Sequence, residues 1–290
     1  MKDLAGKVAV VTGGGGGIGK AIGTRFGQEG MKVVLADFDQ ELLDTAVAEL
    51  RAQSFDVTGI FVDVTKLDSV EALRDATLDT YGAVHVLCNN AGIAVTGIGQ
   101  IWEHEDPDWR WSLDVHLFGV IHGCATFVPP MLKSGEEAHI VNTVSSNGGI
   151  APMPTSSTYA VAKGAVAMYS ECLWAQLRTA ESKIGVSILF PSGYTPGLLN
   201  TGIWNQRVRP PGYETQTPRP MRRGLDAFAQ QLKDSGRDVQ FTPLEEVADQ
   251  VAVGIVNDQF WMLVEGAATD ERIRARADSM MGRKHPDYLL

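Results

Sequence analysis

Through the first two-thirds of the chain, short β-branched and aliphatic runs alternate with longer stretches whose apolar positions recur every three or four residues. The runs KVAVVT (7–12), KVVLAD (32–37), VTGIFVDV (57–64), VHVLCN (84–89), HIVNTVS (139–145) and GVSILF (185–190) predict strands. The periodic stretches near 18–29, 40–53, 66–81, 107–132 and 158–181 predict helices between them. Strands apolar on both faces and alternating with helices belong to a parallel sheet covered on both sides. Right-handed crossovers then give a doubly wound α/β sheet.

The pattern changes once. Pro, Gly and Thr concentrate in PSGYTPGLLNTGIWNQRVRPPGYETQTPRP (191–220). So long a stretch between sheet elements is either a functional lid or disorder. Leu198, Leu199, Trp204 and Tyr213 argue for a lid, which we place at 191–240. Helices near 221–234 and 243–257, a seventh strand FWMLVE (260–265) and a polar helical tail over 266–290 follow. The expectation is one domain over 1–290 with an inserted lid.

Composition narrows the function classes. The chain has 290 residues, 44% of them hydrophobic and 21% charged, with a net charge of -10. That balance suits a globular domain and disfavours nucleic acid or an anionic membrane as partner. Cys88, Cys124 and Cys172 form no C-x-x-C pair. Neither a metal site nor a disulfide framework is expected, and a reducing compartment fits. No secretory leader or membrane span is read in the sequence, so the protein reads as cytoplasmic.

Candidate chemistry begins at VVTGGGGGIGKAIG, which follows the first predicted strand and opens the first helix. Gly13, Gly17, Ile18 and Gly19 fall in T-G-x-x-x-G-I-G. Glycines in a strand–loop–helix context let a pyrophosphate approach backbone N–H groups at a helix N-terminus. Asp37 ends the second strand eighteen residues after Gly19. A carboxylate there accepts from ribose hydroxyls and repels a 2′-phosphate, although an ordinary exposed strand end is the alternative. Gly16 and Phe38, where a basic residue would favour NADP, are not basic, so NAD is expected. Asp63 and Val64 end the third strand, and Asn90 and Gly92 lie in N-N-A-G at the end of the fourth. Each could be turn chemistry alone; shared strand ends give them weight as cofactor contacts.

The stretch STYAVAKGA (157–165) sets Tyr159 and Lys163 one helical turn apart. If both are solvated the pair means little. In a cleft, the ammonium stabilises the phenolate and makes Tyr159 a proton carrier for an alcohol oxygen. A phenol pKa of ~10 must fall to about 7, which needs ~4 kcal/mol.

T-G-x-x-x-G-I-G (12–19), N-N-A-G (89–92), a Ser-Ser pair (145–146) and Y-x-x-x-K (159–163) occur in one order and spacing. In this the chain resembles the short-chain dehydrogenases/reductases over roughly 5–195. The resemblance implies an NAD-dependent oxidoreductase interconverting a secondary alcohol and a ketone, with Tyr159 as general acid/base and Lys163 binding the nicotinamide ribose. It selects Ser146, thirteen residues before Tyr159, as the catalytic serine, with Ser145 a turn residue. Two places depart from the pattern. His116 stands where the family usually has an asparagine, and either relays a proton or only bonds locally. After Pro191, which matches, Tyr194 takes the place whose backbone meets the carboxamide, and Thr195 is displaced by one residue.

Trp102, Asn147, Met153, Tyr194 and Trp204, with Ser146, are the substrate-binding candidates; Trp109, Pro154 and Leu198 lie in the same loops. Their apolar and aromatic character suits a hydrophobic aromatic or alicyclic alcohol. Arg207, Arg209 and Arg219 could meet a carboxylate, with solvated lid arginines as the bland alternative. Other readings are a cis-diol or hydroxysteroid dehydrogenase, a carbonyl reductase, or a silent NAD-sensing protein. Retention of both Tyr159 and Lys163 argues against the last. The resemblance also implies a homodimer or homotetramer through the helices at 107–132 and 158–181.

Overall fold

The computed structural model describes residues 1–93, 100–191, 197–198, 201, 209–217, 224–234, 236, 240–263 and 266–289. The strands are β1 (Val8–Thr12), β2 (Lys32–Asp37), β3 (Val57–Phe61), β4 (Val86–Asn89), β5 (Ala138–Thr143), β6 (Ile184–Leu189), β7 (Gly197–Leu198), β8 (Gln240–Phe241) and β9 (Trp261–Met262). The helices are α1 (Gly17–Gln28), α2 (Gln40–Ala52), α3 (Leu67–Tyr81), α4 (Asp106–Leu113), α5 (Gly119–Ser134), α6 (Ser146–Gly149), α7 (Ser157–Thr179), α8 (Leu225–Asp234), α9 (Leu244–Val256) and α10 (Ala267–Met281).

Seven strands form one parallel sheet in the order β3-β2-β1-β4-β5-β6-β9. Alternation along each strand feeds two cores. Val10, Leu87, Ile140 and Val186 pack with Leu73 of α3, Phe127 of α5 and Val166 of α7. On the other face Ala9, Val11, Leu35 and Val141 pack with Phe26 of α1, Leu43 of α2 and Val251 of α9. The chain leaves β1 toward β2 on one side and reaches β4 on the other, so a crevice opens at the carboxyl ends of β1 and β4. Open α/β sheets bind ligands at that reversal.

Most predicted elements stand within a residue or two of their expected places. The third strand stops at Phe61 rather than 64, because it is the sheet edge and its last residues turn into the Asp63 loop. Of the seventh expected strand, Trp261 and Met262 pair with β6.

The more consequential difference lies at 107–132, which is not one regular helix. A π-helical turn, Asp114–Phe118, joins α4 to α5. Here the helix presses on the sheet end: a methyl on Gly119 would stand 3.0 Å from Val64 Cγ2, and one on Gly123 only 2.2 Å from Asn89 Oδ1. A π turn inserts an extra residue into the ladder and re-aims the side chains around it, commonly at functional sites. It buries His116 completely. The continuous stretch Asp106–Ser134 is, by length and composition, apolar enough to cross a membrane. In this fold α5 instead packs on α3, β4 and β5.

Candidate active site

The ends of β1 and β4 are tied together before any ligand is considered. Thr12 Oγ1 accepts from Asn90 N (3.0 Å) and Ala91 N (3.1 Å) and donates to the Cys88 carbonyl (3.3 Å). Asn90 Nδ2 donates to the Thr12 carbonyl at 3.1 Å. The glycine loop then folds against this knot. A methyl on Gly19 would fall 2.0 Å from the Gly13 carbonyl oxygen and 2.8 Å from Asn90 Nδ2, so only glycine fits. Ile18 packs on the core beneath, and Gly17 opens α1, whose N-cap Gly16 offers no side-chain cap to the first N–H groups.

Asp37 faces the same loop. Its Oδ2 accepts from Gly15 N at 2.8 Å and its Oδ1 from Asp39 N at 3.0 Å, leaving the half-buried carboxylate fixed in direction. A pyrophosphate over the α1 N-terminus and a ribose beside Asp37 therefore fit the residues present, and neither Gly16 nor Phe38 supplies a cation for a 2′-phosphate. Asp63 is engaged locally: Oδ1 accepts from Thr65 N (3.0 Å) and Thr65 Oγ1 (2.7 Å). The Val64 carbonyl lies 2.9 Å from His122 Nδ1. Gly92 lies against the His116 ring.

The second half of the site comes from β5, α6 and α7. Ser145 caps α6, accepting from Asn147 N at 3.2 Å, which is the turn role expected for it. Ser146 follows, half-buried. Asn147 is buried, and its Oδ1 accepts from Met153 N at 2.7 Å, so its side chain closes the loop. Gly148, at φ +100, lets this loop touch α7; a methyl there would meet the Ala160 carbonyl at 2.1 Å. The loop bearing Ser146 is thereby held against the helix bearing Tyr159.

Tyr159 and Lys163 share a face of α7, the phenol half-buried and the amine only 3% exposed. Lys163 Nζ donates to the Thr143 carbonyl at 2.7 Å and stands 5.8 Å from the Tyr159 ring centre. Burial pulls the Lys163 pKa down to about 7. The His116 ring meets Tyr159 edge-on, 5.0 Å between centres at 83°. Its Nε2 accepts from Ile93 N (3.1 Å), and its Nδ1–H donates to the Ser112 carbonyl (3.0 Å). Those partners select the neutral tautomer. Burial, then the nearby Lys163 charge, holds its pKa well below the ordinary histidine value.

The remaining candidates divide. Pro191 is buried at the end of β6. Met153 is exposed beside the Ser146 loop, and Trp102 stands 77% exposed on a 3₁₀ turn at Ile101–Glu103. Tyr194, Thr195 and Trp204 lie outside the described residues. Two contacts have no local sequence signal. Thr201 packs on Gly17, its Cβ 3.0 Å from where a methyl would stand. Arg209, read above as a solvated lid arginine or a carboxylate contact, instead pairs with the buried Asp108. No group of three or more His, Cys, Asp or Glu side chains among the described residues is placed to hold a metal.

The chain is similar to known proteins in sequence and in fold. The short chain dehydrogenase family model matches residues 7–209. The C alpha-dehydrogenase of Sphingobium sp. (strain NBRC 103272 / SYK-6) is 36% identical over 217 residues, 74% of this chain and 68% of that one. The 1-deoxy-11-beta-hydroxypentalenate dehydrogenase of Streptomyces exfoliatus is 32% identical over 271 residues, 93% of this chain and 86% of that one. A short chain dehydrogenase/reductase from Burkholderia phymatum, solved in complex with NAD, superposes with a TM-score of 0.87 at 35% identity, covering 99% and 98% of the two chains.

The buried amine makes a stability prediction. Between pH about 7 and 10.5 the unfolded chain holds a proton on Lys163 that the native chain lacks, so native stability rises with pH across that window. Below pH 7 both states are protonated and the burial cost is complete. Lys163→Met removes the titration. Its stability relative to the native chain should be greatest below pH 7 and decline steadily toward pH 10.5, measured by urea unfolding without cofactor. A difference that stays flat with pH would show that the amine is not held out of water.

Proposed function

The chain belongs to the short-chain dehydrogenase/reductase family, and on that footing we propose that it interconverts a secondary alcohol and a ketone on a hydrophobic aromatic or alicyclic substrate. It is an oxidoreductase acting on alcohol or ketone groups, with NAD as its cofactor. The observation that carries the finer reading is the Tyr159–Lys163 pair, with its amine buried behind a half-exposed phenol at the crevice of the sheet.

NAD, when bound, supplies the nicotinamide carbon that accepts or returns hydride. The backbone N–H groups of the glycine loop and of the first turn of α1 hold its phosphates, and Asp37 holds the adenosine ribose. Thr201 packs its Cβ and Cγ2 methyl on Gly17 and so adds an apolar contact to that loop. Tyr159 takes the alcohol proton during oxidation and returns it during reduction. A phenolate forming there favours the charged amine of Lys163, and the charged amine favours the phenolate, so the pair titrates together. The Ser146 hydroxyl, which can both donate and accept, holds the substrate oxygen against Tyr159.

We assign His116 a positioning role. Both ring nitrogens are already bonded to backbone, so releasing a proton through the ring requires breaking one of those bonds. Its neutral edge against Tyr159 fixes the phenol without adding a charge. The substrate class rests on the apolar and aromatic side chains of the substrate loops, and a hydroxypentalenate dehydrogenase among the relatives supports it. Excess oxidised NAD in cells favours alcohol oxidation. The exposed Leu132, Val161, Met168 and Trp174 on α5 and α7, beside a cavity of about 210 Å³ between those helices, support pairing of two copies through that face.

Three variants test this reading, with absorbance at 340 nm followed in the presence of NAD and a panel of aromatic, terpenoid and steroid secondary alcohols. Tyr159→Phe should lower turnover at least about a hundredfold while NAD affinity holds; near-normal turnover removes Tyr159 from proton transfer. Asp37→Ala should raise NADP use relative to NAD, and an unchanged ratio rejects the ribose role. His116→Asn should slow turnover without altering the acid side of the pH profile. An acid limb well below pH ~6.5 that this variant abolishes would make the ring a proton carrier after all.

A further inference from the structure

Residues 209–217 lie in the segment expected to cover the substrate, and their contacts fall on α4 and the residues that flank it. Arg209 Nη2 bonds Asp108 Oδ1, and Asp108 is wholly buried. The guanidinium stacks over the Trp111 ring at 5.2 Å, and its Nη1 donates to the Tyr213 carbonyl at 3.2 Å. Tyr213 Oη donates to Asp114 Oδ2 at 2.9 Å, its phenol pKa pushed up to about 12 by burial and by that carboxylate. Glu105 accepts from Gln216 N (2.7 Å) and Thr217 N (2.9 Å). Three carboxylates of one helical stretch, Glu105, Asp108 and Asp114, thus grip the segment.

That stretch also leads to the catalytic residues. Asp108, Ser112 and His116 recur every fourth residue, and all three are buried. Ser112 gives its carbonyl to His116 Nδ1, and His116 meets Tyr159. Asp108 Oδ2 also accepts from Glu105 N at 3.0 Å, and Arg209 brings a countercharge; removing a countercharge from a buried carboxylate is costly, whereas an exposed ion pair contributes little. The burial of Asp108 therefore makes this contact a fixed point for the segment rather than an incidental surface pair.

We propose that the Arg209–Asp108 pair is a latch: it holds the substrate segment on the helix that positions His116, so that Arg209, a positioning residue, sets the affinity for the alcohol. The proposal rests on the alcohol-oxidising reading above for its kinetic consequence, though not for the latch itself. Arg209→Met should accelerate thermolysin cleavage within residues 209–217 at least about tenfold, with NAD affinity unchanged. With 1-phenylethanol as probe, KM should rise about tenfold or more while kcat stays within about threefold. Asp108→Asn should act in the same direction, and the double variant should be no worse than the worse single. Tyr213→Phe, which deletes one hydroxyl, should give a smaller effect of the same kind and serves if Arg209→Met does not fold.

An unchanged cleavage rate in a folded variant, or additive effects in the double variant, overturns the latch. Faster cleavage with an unchanged KM overturns its role toward substrate. A native chain that oxidises no alcohol of the wider panel sinks the functional reading instead, and the cleavage result then decides the latch alone.

Discussion

Lys163 is carried by α7 across the end of β5 to the Thr143 carbonyl, 2.7 Å away, where almost none of it reaches water. An ammonium there has lost most of its hydration, and one carbonyl oxygen does not replace it. The amine can recover stabilisation only from negative charge developing nearby, and Tyr159, one helical turn before it, is the group that can develop it. In the proposed reaction the energetic cost of burying a lysine becomes a bias toward the phenolate. Everything else in the site serves to keep water from that amine or to bring a ligand to that phenol.

The neighbours are arranged so that no second charge competes. His116 lies close enough to Lys163 to feel its charge and stays neutral, its two nitrogens spoken for by Ile93 and Ser112. Ser145 Oγ and Asn147 Oδ1 are engaged within the α6 loop, and Gly148 seats that loop on α7. On the cofactor side, Thr12 and Asn90 bind β1 to β4, so the glycine loop closes on a rigid floor. The α4–α5 connection joins these parts: its π turn buries His116 against Tyr159, and its outer turns hold 209–217 through Asp108 and Asp114.

Much of this was legible from the residues in order. Alternation and helical periodicity marked the six strands before residue 191 and their helices, because a sheet covered on both faces writes an unbroken apolar run into each strand. The glycine loop, Asp37, Ser146 and the Tyr159–Lys163 spacing were equally plain, since each is a local arrangement of a few residues on one turn or loop. Ser145 as a cap was legible for the same reason.

Contacts between residues distant in sequence were not. Periodicity cannot reveal a π turn, because one inserted residue shifts the helical phase by less than apolar patterning resolves; only close packing of Gly119 and Gly123 on the sheet exposes it. Nothing near Arg209 announces that a carboxylate about a hundred residues earlier will be buried beneath it. The sequence by itself determined the fold class, the glycine-loop motif and the Tyr159–Lys163 spacing, all set by short-range order. Tertiary structure alone decided the depth of Lys163, the neutral tautomer of His116 and the seating of residues 209–217, because burial and dielectric environment depend on what the rest of the chain brings into contact.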